Sequence, residues 1–371
     1  MIDALALAWR SLRAAWARSV VVALGVAVAA FLPLVAWRGE AVVGDALRAR
    51  ARSTPIVVGR KGSDLELALG ALYFRGRVRD PLSWADVERL RDRGDATVIP
   101  LHLGATSGGL PVVGTTLAYL DRRGLVVAEG RAPAVLGEAV VGAAAARARG
   151  LHPGDRVQTD QTDLYDLAGA YPTRLEVVGV LAPTGTADDD ALLVDIKTTW
   201  LVGGALHGHA AQQGEADPGL FLFAEVDPSA LGSFHLHGAA SDWPVTAALL
   251  FPRDARAHDQ LLGQLAVDER LQAVRPVEAV ETVLGVAARA LRVLRVMLGL
   301  VAAATLAFVG LVAALVVQLR RREVELMVRV GASRARVAAV LGTELGLLLL
   351  AGAALAVAAT TAVLTLLRGV L

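Results

Sequence analysis

The sequence predicts a membrane α-helical protein with three spans and a large α+β extracytoplasmic domain of two lobes, and three observations lead there. Hydrophobic residues make up 55% of the 371 residues and charged residues only 20%, and the mean hydropathy is +0.52, too apolar for an ordinary soluble domain. Uncharged apolar stretches long enough to cross a hydrocarbon core of about 30 Å lie only near the two ends. Between them, residues 38–295 contain nothing that would span and instead alternate strand-like and helix-like patterns.

Taken in order, residues 1–18 set Leu5, Leu12 and Trp16 against Arg10, Arg13 and Arg18, the pattern of an interfacial amphipathic helix that meets membrane lipid or a partner. Residues 19–37 form the first span, with Pro33 near one end and Trp37 and Arg38 closing it. A cleaved signal peptide is the rival reading, but the lead and apolar run are too long and no small-x-small site follows. Spans two and three are residues 296–319 and 345–367. Arg10, Arg13 and Arg18 against Asp3, and the six Arg of 320–336 against Glu323 and Glu325, place the N-terminus and the 320–344 loop in the cytoplasm. Arg289, Arg292 and Arg295 argue the other way. Their three-residue spacing fits the solvated face of a stalk helix that continues span two outward.

In the outer domain, strands are expected over 55–58, 97–103, 110–114, 138–141, 156–159, 175–181, 191–195 and 245–251. Helices are expected over 83–93, 142–149, 255–267 and 276–295. Ser83 with Asp86 reads as an N-terminal cap and Gly94 as a stop. One lobe would combine 56–116 with 245–280, and the other would be 125–201. Residues 202–243, rich in Gly, Ala, His and Asp and without periodicity, read as an inserted loop.

Several function classes drop out. A formal charge of +1, from 37 basic and 36 acidic residues, gives no field to recruit nucleic acid. Cysteine is absent, so disulfides, thiolate metal sites and cysteine nucleophiles are excluded. No G-x-x-x-x-G-K-[ST], H-E-x-x-H or G-x-S-x-G pattern occurs, so no enzymatic activity is expected of this chain. Ligand chemistry rests on His207, His209, His235 and His237 in the inserted loop. Their four imidazoles suit Zn²⁺ or Cu²⁺, and the plainer reading is an exposed loop with scattered histidines. Asp188-Asp189-Asp190 would hold a hard cation or, more simply, form a polar turn. Glu344, at the mouth of span three, would reach interfacial water or an Arg, or act as a buried coupling acid. Small residues at four-residue spacing, Gly25 with Ala29, Gly310 with Ala314 and Gly342 with Gly346, permit close helix approach.

The most specific stretch is Arg320-Arg321-Arg322-Glu323-Val324-Glu325-Leu326-Met327-Val328-Arg329-Val330-Gly331-Ala332-Ser333-Arg334-Ala335-Arg336, with Glu344 beyond it. It is similar to the R-R-x-E-[IV]-x-x-[LM]-R-A-[LV]-G-A-[ST] loop of FtsX/MacB-type permeases of ABC transporters. Pro55-Ile56-Val57-Val58-Gly59-Arg60-Lys61-Gly62-Ser63 and Val177-Val178-Gly179-Val180-Leu181-Ala182-Pro183-Thr184-Gly185-Thr186 resemble the periplasmic core domain of a MacB-like subgroup. The resemblance implies a permease in the bacterial inner membrane, driven by a separate cytoplasmic ABC ATPase that holds the ATP and Mg²⁺, with no cofactor in this chain. It implies docking of that ATPase on Arg322, Glu323, Glu325, Arg329, Gly331, Arg334 and Arg336, export or extraction of a substrate, and a periplasmic adaptor as a further partner. Such permeases have four spans as a rule and this sequence has three, so a three-span variant or a truncated product is expected. Three spans cannot enclose a substrate route, so a homodimer is expected as well. The competing reading is a membrane-anchored extracytoplasmic binding or scaffold protein, metal-responsive through its histidines and independent of an ATPase.

Overall fold

The computed structural model describes residues 2–76, 80–160, 172–204, 206–208, 224–225, 234–236, 239–319, 325–326, 328–329 and 333–368. They form two compact units, Met1–Asp45 with Leu284–Leu371, and Ala46–Val283. Three helices are long and apolar enough to cross a membrane, as the sequence predicts. The chain starts with α1 (Ile2–Ala14), and α2 (Trp16–Arg52) follows with Pro33 inside it. Arg10 to Arg18 therefore straddle two helices with a one-residue turn between them.

The second unit is a mixed α/β domain. Its described strands are β1 (Ile56–Arg60), β2 (Leu82–Ser83), β3 (Ala96–Ser107), β4 (Leu110–Thr115), β5 (Val127–Gly130), β6 (Glu138–Val141), β7 (Arg156–Gln158), β8 (Thr173–Leu181), β9 (Leu192–Asp195), β10 (Leu206–Gly208), β11 (Ala224–Glu225), β12 (Phe234–Leu236), β13 (Pro244–Val245), β14 (Ala247–Pro252) and β15 (Leu271–Val274). Helices α3 (Asp64–Tyr73), α4 (Trp84–Asp92), α5 (Leu117–Arg123), α6 (Ala143–Arg149), α7 (Ile196–Val202) and α8 (Ala255–Ala266) lie between them. One sheet runs in the order β11-β8-β6-β9-β4-β3-β14-β1-β15, with β5 and β7 also on β8.

Alternation along the strands sends successive side chains to opposite faces. Val57, Ile99 and Leu249 pack on one face with Leu67 and Ala71 of α3 and Tyr119 of α5. Ile56, Val58, Val98 and Leu250 pack on the other with Leu90 of α4, Trp200 of α7 and Leu261 of α8. The sheet is thus buried on both faces by helices, which suits its near-continuous Val/Leu/Ile runs.

The two expected lobes are the two halves of this sheet, and the division between them differs from the sequence reading. β3 belongs to both: residues 96–101 pair with β14, and residues 102–107 pair with β4, with a bulge between Leu103 and Ala105. β4 pairs in parallel with β9 and so lies with the second half, where the sequence placed it with the first. Ser83 and Asp86 form a full capping box at α4. The stretch 202–243 carries more order than an inserted loop implies: Val202 ends α7, β10 pairs with β12, and β11 adds to β8.

The chain leaves the domain through α9 (Pro276–Leu319) and returns as α10 (Arg334–Arg368). In the first unit, α1 packs along α10, with Ala8 and Leu12 buried. The close helix approach falls at a glycine the sequence did not single out. A Cβ on Gly352 would lie 2.6 Å from Val26 Cβ and 2.7 Å from the Ala23 carbonyl oxygen, whereas Gly25, Gly310, Gly342 and Gly346 face open space in this structure.

Candidate functional site

Most of the polar chemistry in the second unit gathers where α2 ends. Arg50 lies in the last turn of the helix and is almost fully buried. Its Nη1 donates to Asp188 Oδ2 and its Nη2 to Asp188 Oδ1 at 3.0 Å, giving a bidentate pair of the kind Arg geometry favours. Nε donates to the Leu72 carbonyl at 3.1 Å, and Nη2 also reaches Tyr119 Oη at 2.9 Å. Tyr119 Oη and Thr186 Oγ1 donate to the same carboxylate at 2.7 and 2.9 Å. Every strong donor around Asp188 is thus spent on it, as a buried charge requires. Burial by itself would raise the Asp188 carboxyl, but the Arg50 guanidinium, with Tyr119 and Thr186, outweighs it and holds the group below the usual carboxylate range.

The loop that presents Asp188 is the Pro183-Thr184-Gly185-Thr186 stretch. Asp189 folds it by accepting the Thr184 and Gly185 N–H groups, at 2.9 and 2.7 Å, and the Thr184 hydroxyl at 2.8 Å. Gly142 lets α6 start against this loop, because a Cβ there would lie 2.2 Å from the Asp188 carbonyl oxygen. The three aspartates do form a polar turn, one turn of 3-10 helix over Ala187–Asp190, and its first two carboxylates are turned inward rather than left open to a cation. Asp188 and Asp189 are buried and satisfied.

The end of α2 and the two residues after it make further ties. Arg123 donates to Thr54 Oγ1 at 2.7 Å and to Ser53 Oγ, and its guanidinium lies 5.6 Å from the Tyr119 ring centroid. Tyr73 Oη donates to the Leu47 carbonyl at 2.9 Å, and Arg48 Nε to Glu281 Oε1 of α9 at 2.8 Å. This node went unread in the sequence. The available signal was an Arg set in the apolar-flanked end of a long helix, with no acid beside it.

On the other unit, Glu344 is buried and accepts from Ser11 Oγ of α1 at 3.2 Å. That hydroxyl, on the first helix, is one of its partners. Ser333 starts α10, its carbonyl and Oγ accepting the Arg336 N–H at 2.9 and 3.3 Å. Glu325 and Arg329 are helical and exposed, Arg336 is exposed, and Arg334 is the first residue of α10. Arg322, Glu323 and Gly331 lie outside the described residues. His207 stands opposite His235 in the β10–β12 ladder; His209 and His237 lie outside the described residues. Among the described residues, no group of three or more metal-ligating side chains comes together.

The family model for the MacB-like periplasmic core domain matches residues 20–230, more than half the chain. Solved structures include the periplasmic region of MacB from Actinobacillus actinomycetemcomitans, 13% identical with a TM-score of 0.36, covering 62% of this chain and 94% of that one. The extracellular domain of the noncanonic ABC-type transporter YknZ from Gram-positive bacteria is 14% identical with a TM-score of 0.33, covering 59% and 98%. No curated protein matches the chain.

Proposed function

Because the chain belongs to the MacB-like periplasmic core domain family, we propose that it is the permease subunit of an ABC transporter and moves its extracytoplasmic domain in response to a separate cytoplasmic ATPase. The observation that carries this reading is the family match, joined to three helices fit to cross a membrane. ATP and Mg²⁺ belong to the partner, whose docking surface is the loop 320–336. The N-terminus and this loop lie on the cytoplasmic side of the inner membrane, and two copies of the chain enclose the substrate route.

The polar node fits a mechanical role. α2 and α9 are each one unbroken helix from an apolar stretch into the α/β domain. At their ends Arg48 meets Glu281, and Arg50 holds the Asp188 loop. A push along the apolar length of α2, which carries Pro33, arrives at Arg50 in the last turn of the helix. The Arg50–Asp188 pair then passes it to the loop and the sheet behind it.

Co-purification tests this reading. Membranes expressing the chain with the ATPase encoded beside it should yield both proteins, and Glu325→Arg with Arg329→Glu should abolish the association while leaving the chain inserted. Positive-inside topology survives, since the loop keeps its net positive charge. Undiminished co-purification of the double variant would sink the docking assignment.

A further inference from the structure

We propose that a crevice at the carboxyl ends of β4 and β9 binds a single-chain amphiphile with an anionic head. The two strands run in parallel and finish together, with Gly114 opposite Val194 and Thr115 opposite Asp195. The helices that follow leave for opposite faces of the sheet: Tyr119 and Leu120 of α5 enter one core, and Ile196 and Trp200 of α7 enter the other. Where adjacent parallel strands send their helices to opposite faces, the chain ends part and a crevice opens beyond the strand ends, the usual place for a ligand in an open α/β sheet. Here the crevice encloses about 610 Å³, within the roughly 300–1,000 Å³ of small-molecule sites.

Its lining sets the ligand class. Leu117, Leu120, Pro133, Val135 and Leu136 make the walls, and two of these stay wet at the lips, Leu117 at 54% and Val135 at 39% exposure. An apolar ligand would cover them. The polar groups sit at one end. Thr116 occupies the N-cap position of α5, yet its hydroxyl makes no capping bond. Lys197, one of two lysines in the chain, is an exposed residue of the lining with no carboxylate at ion-pair distance among the described residues. A cation in the first turn of a helix opposes the helix dipole. The one acid lining the crevice, Asp195, is engaged with the Lys197 backbone N–H at 2.9 Å. Apolar walls, an unpaired Lys197 and an Asp195 carboxylate already taking a backbone N–H favour a fatty carboxylate or an acyl phosphate lipid over a cationic amphiphile.

Photolabelling of the full chain in nanodiscs tests this, with a diazirine-bearing dodecanoate as the probe. Label should fall on the segments 115–120 and 132–136. It should be competed by dodecanoate or lysophosphatidate, the better competitor distinguishing a free acid from a lipid source, and dodecylamine should not compete. Lys197→Glu should lower labelling about tenfold, as loss of a charged hydrogen-bond partner does, while Lys197→Arg preserves it. Leu117→Asp, at an exposed position that leaves the core intact, should lower it as well. Absence of label from these segments, equal competition by dodecylamine, or labelling unchanged in Lys197→Glu would each overturn the proposal.

Discussion

Arg50 and Asp188, 138 residues apart in the chain, form a two-pronged ion pair buried at the end of α2, with side chains 5% and 0% exposed. Removing one member of such a pair strands the other charge in a low-dielectric site, at a cost of about 3–5 kcal/mol. Asp188→Asn and Arg50→Met should therefore each lower the unfolding midpoint of the domain sharply. Arg50→Met with Asp188→Leu, which replaces both charges by apolar bulk, should recover much of the loss. Transport would not recover with it, since an apolar contact lacks the bidentate geometry that fixes the loop to the helix. Denaturant unfolding of the three variants, alongside ATPase-driven transport, separates the structural from the mechanical part. Transport restored in the double variant would show the pair to be structural only.

Acid should weaken the domain through two carboxylates. Asp188 is held below its ordinary value, and Glu138 is held down to about 2 by hydrogen bonds from Arg131, assisted by the Ala134 and Val135 N–H groups. Both folded-state values lie below the unfolded ones, so the ionised forms favour the fold. Their contribution is complete above about pH 4.5 and is lost as pH falls through the folded values toward 2. Melting temperatures should start to fall below about pH 6.5, where burial holds His102 down to about 4 and only the unfolded chain takes its proton, and fall more steeply below about pH 4.5 as the two carboxylates protonate. Glu138→Gln, already lacking the charge, should show a shallower acid limb. An equally steep fall in that variant would remove Glu138 from the account.

Within the membrane unit, Gly352 should tolerate no larger side chain. The nearest atoms to an added Cβ include a backbone oxygen of Ala23, which cannot swing aside as a side-chain tip does. Gly352→Leu should cost about 1–3 kcal/mol as overpacking, read as a lower unfolding midpoint in detergent. Gly342→Leu, with open space around it, serves as the control and should change little.

The strands and the α4 cap were legible because their signals are local. Alternating Val, Ile and Leu mark β1, β3 and β8, and Ser83 sits three residues before its partner Asp86. Helix α3 carried a local signal that went unread: Ser63 accepts the Glu66 N–H, and Asp64 and Glu66 favour a helix start. The node at Arg50 had no such signal. Asp188-Asp189-Asp190 reads as a polar turn, and it is one, but nothing local says that Arg50 and Tyr119 arrive from distant parts of the chain to bury Asp188. Nor does spacing reveal that β4 pairs with β9 across the 76 residues between Thr115 and Leu192, a choice made by the packing of whole faces. Ser11 against Glu344 is the same case across nearly the whole chain.

The stretch 202–243 yields a sharper expectation now that its two ends are known. The Trp200 and Trp243 rings lie 4.8 Å apart, Trp200 Nε1 donates to the Pro244 carbonyl at 2.8 Å, and the Trp84 N–H donates to the Trp243 carbonyl at 2.8 Å. Chain entry and exit are thus pinned side by side, and the cost of closing a loop between them depends only weakly on its length. Replacing residues 205–239 with a short Gly-Ser linker should cost little, since among the described residues it gives up the β10–β12 pair and the two-residue register of β11 on β8. Removing 202–243 in full should be far worse, because it takes buried Val202 and the Trp243 contacts with it. The shorter deletion also tests the histidines. His207 and His235 are register partners in the ladder, and two histidines would supply half of a closed tetrahedral Zn²⁺ site, so the expected result is weak binding or none. Calorimetry on the full chain, with and without His207→Ala, His209→Ala, His235→Ala and His237→Ala together, decides it. Micromolar or tighter Zn²⁺ binding that vanishes in the fourfold variant would establish a metal site there.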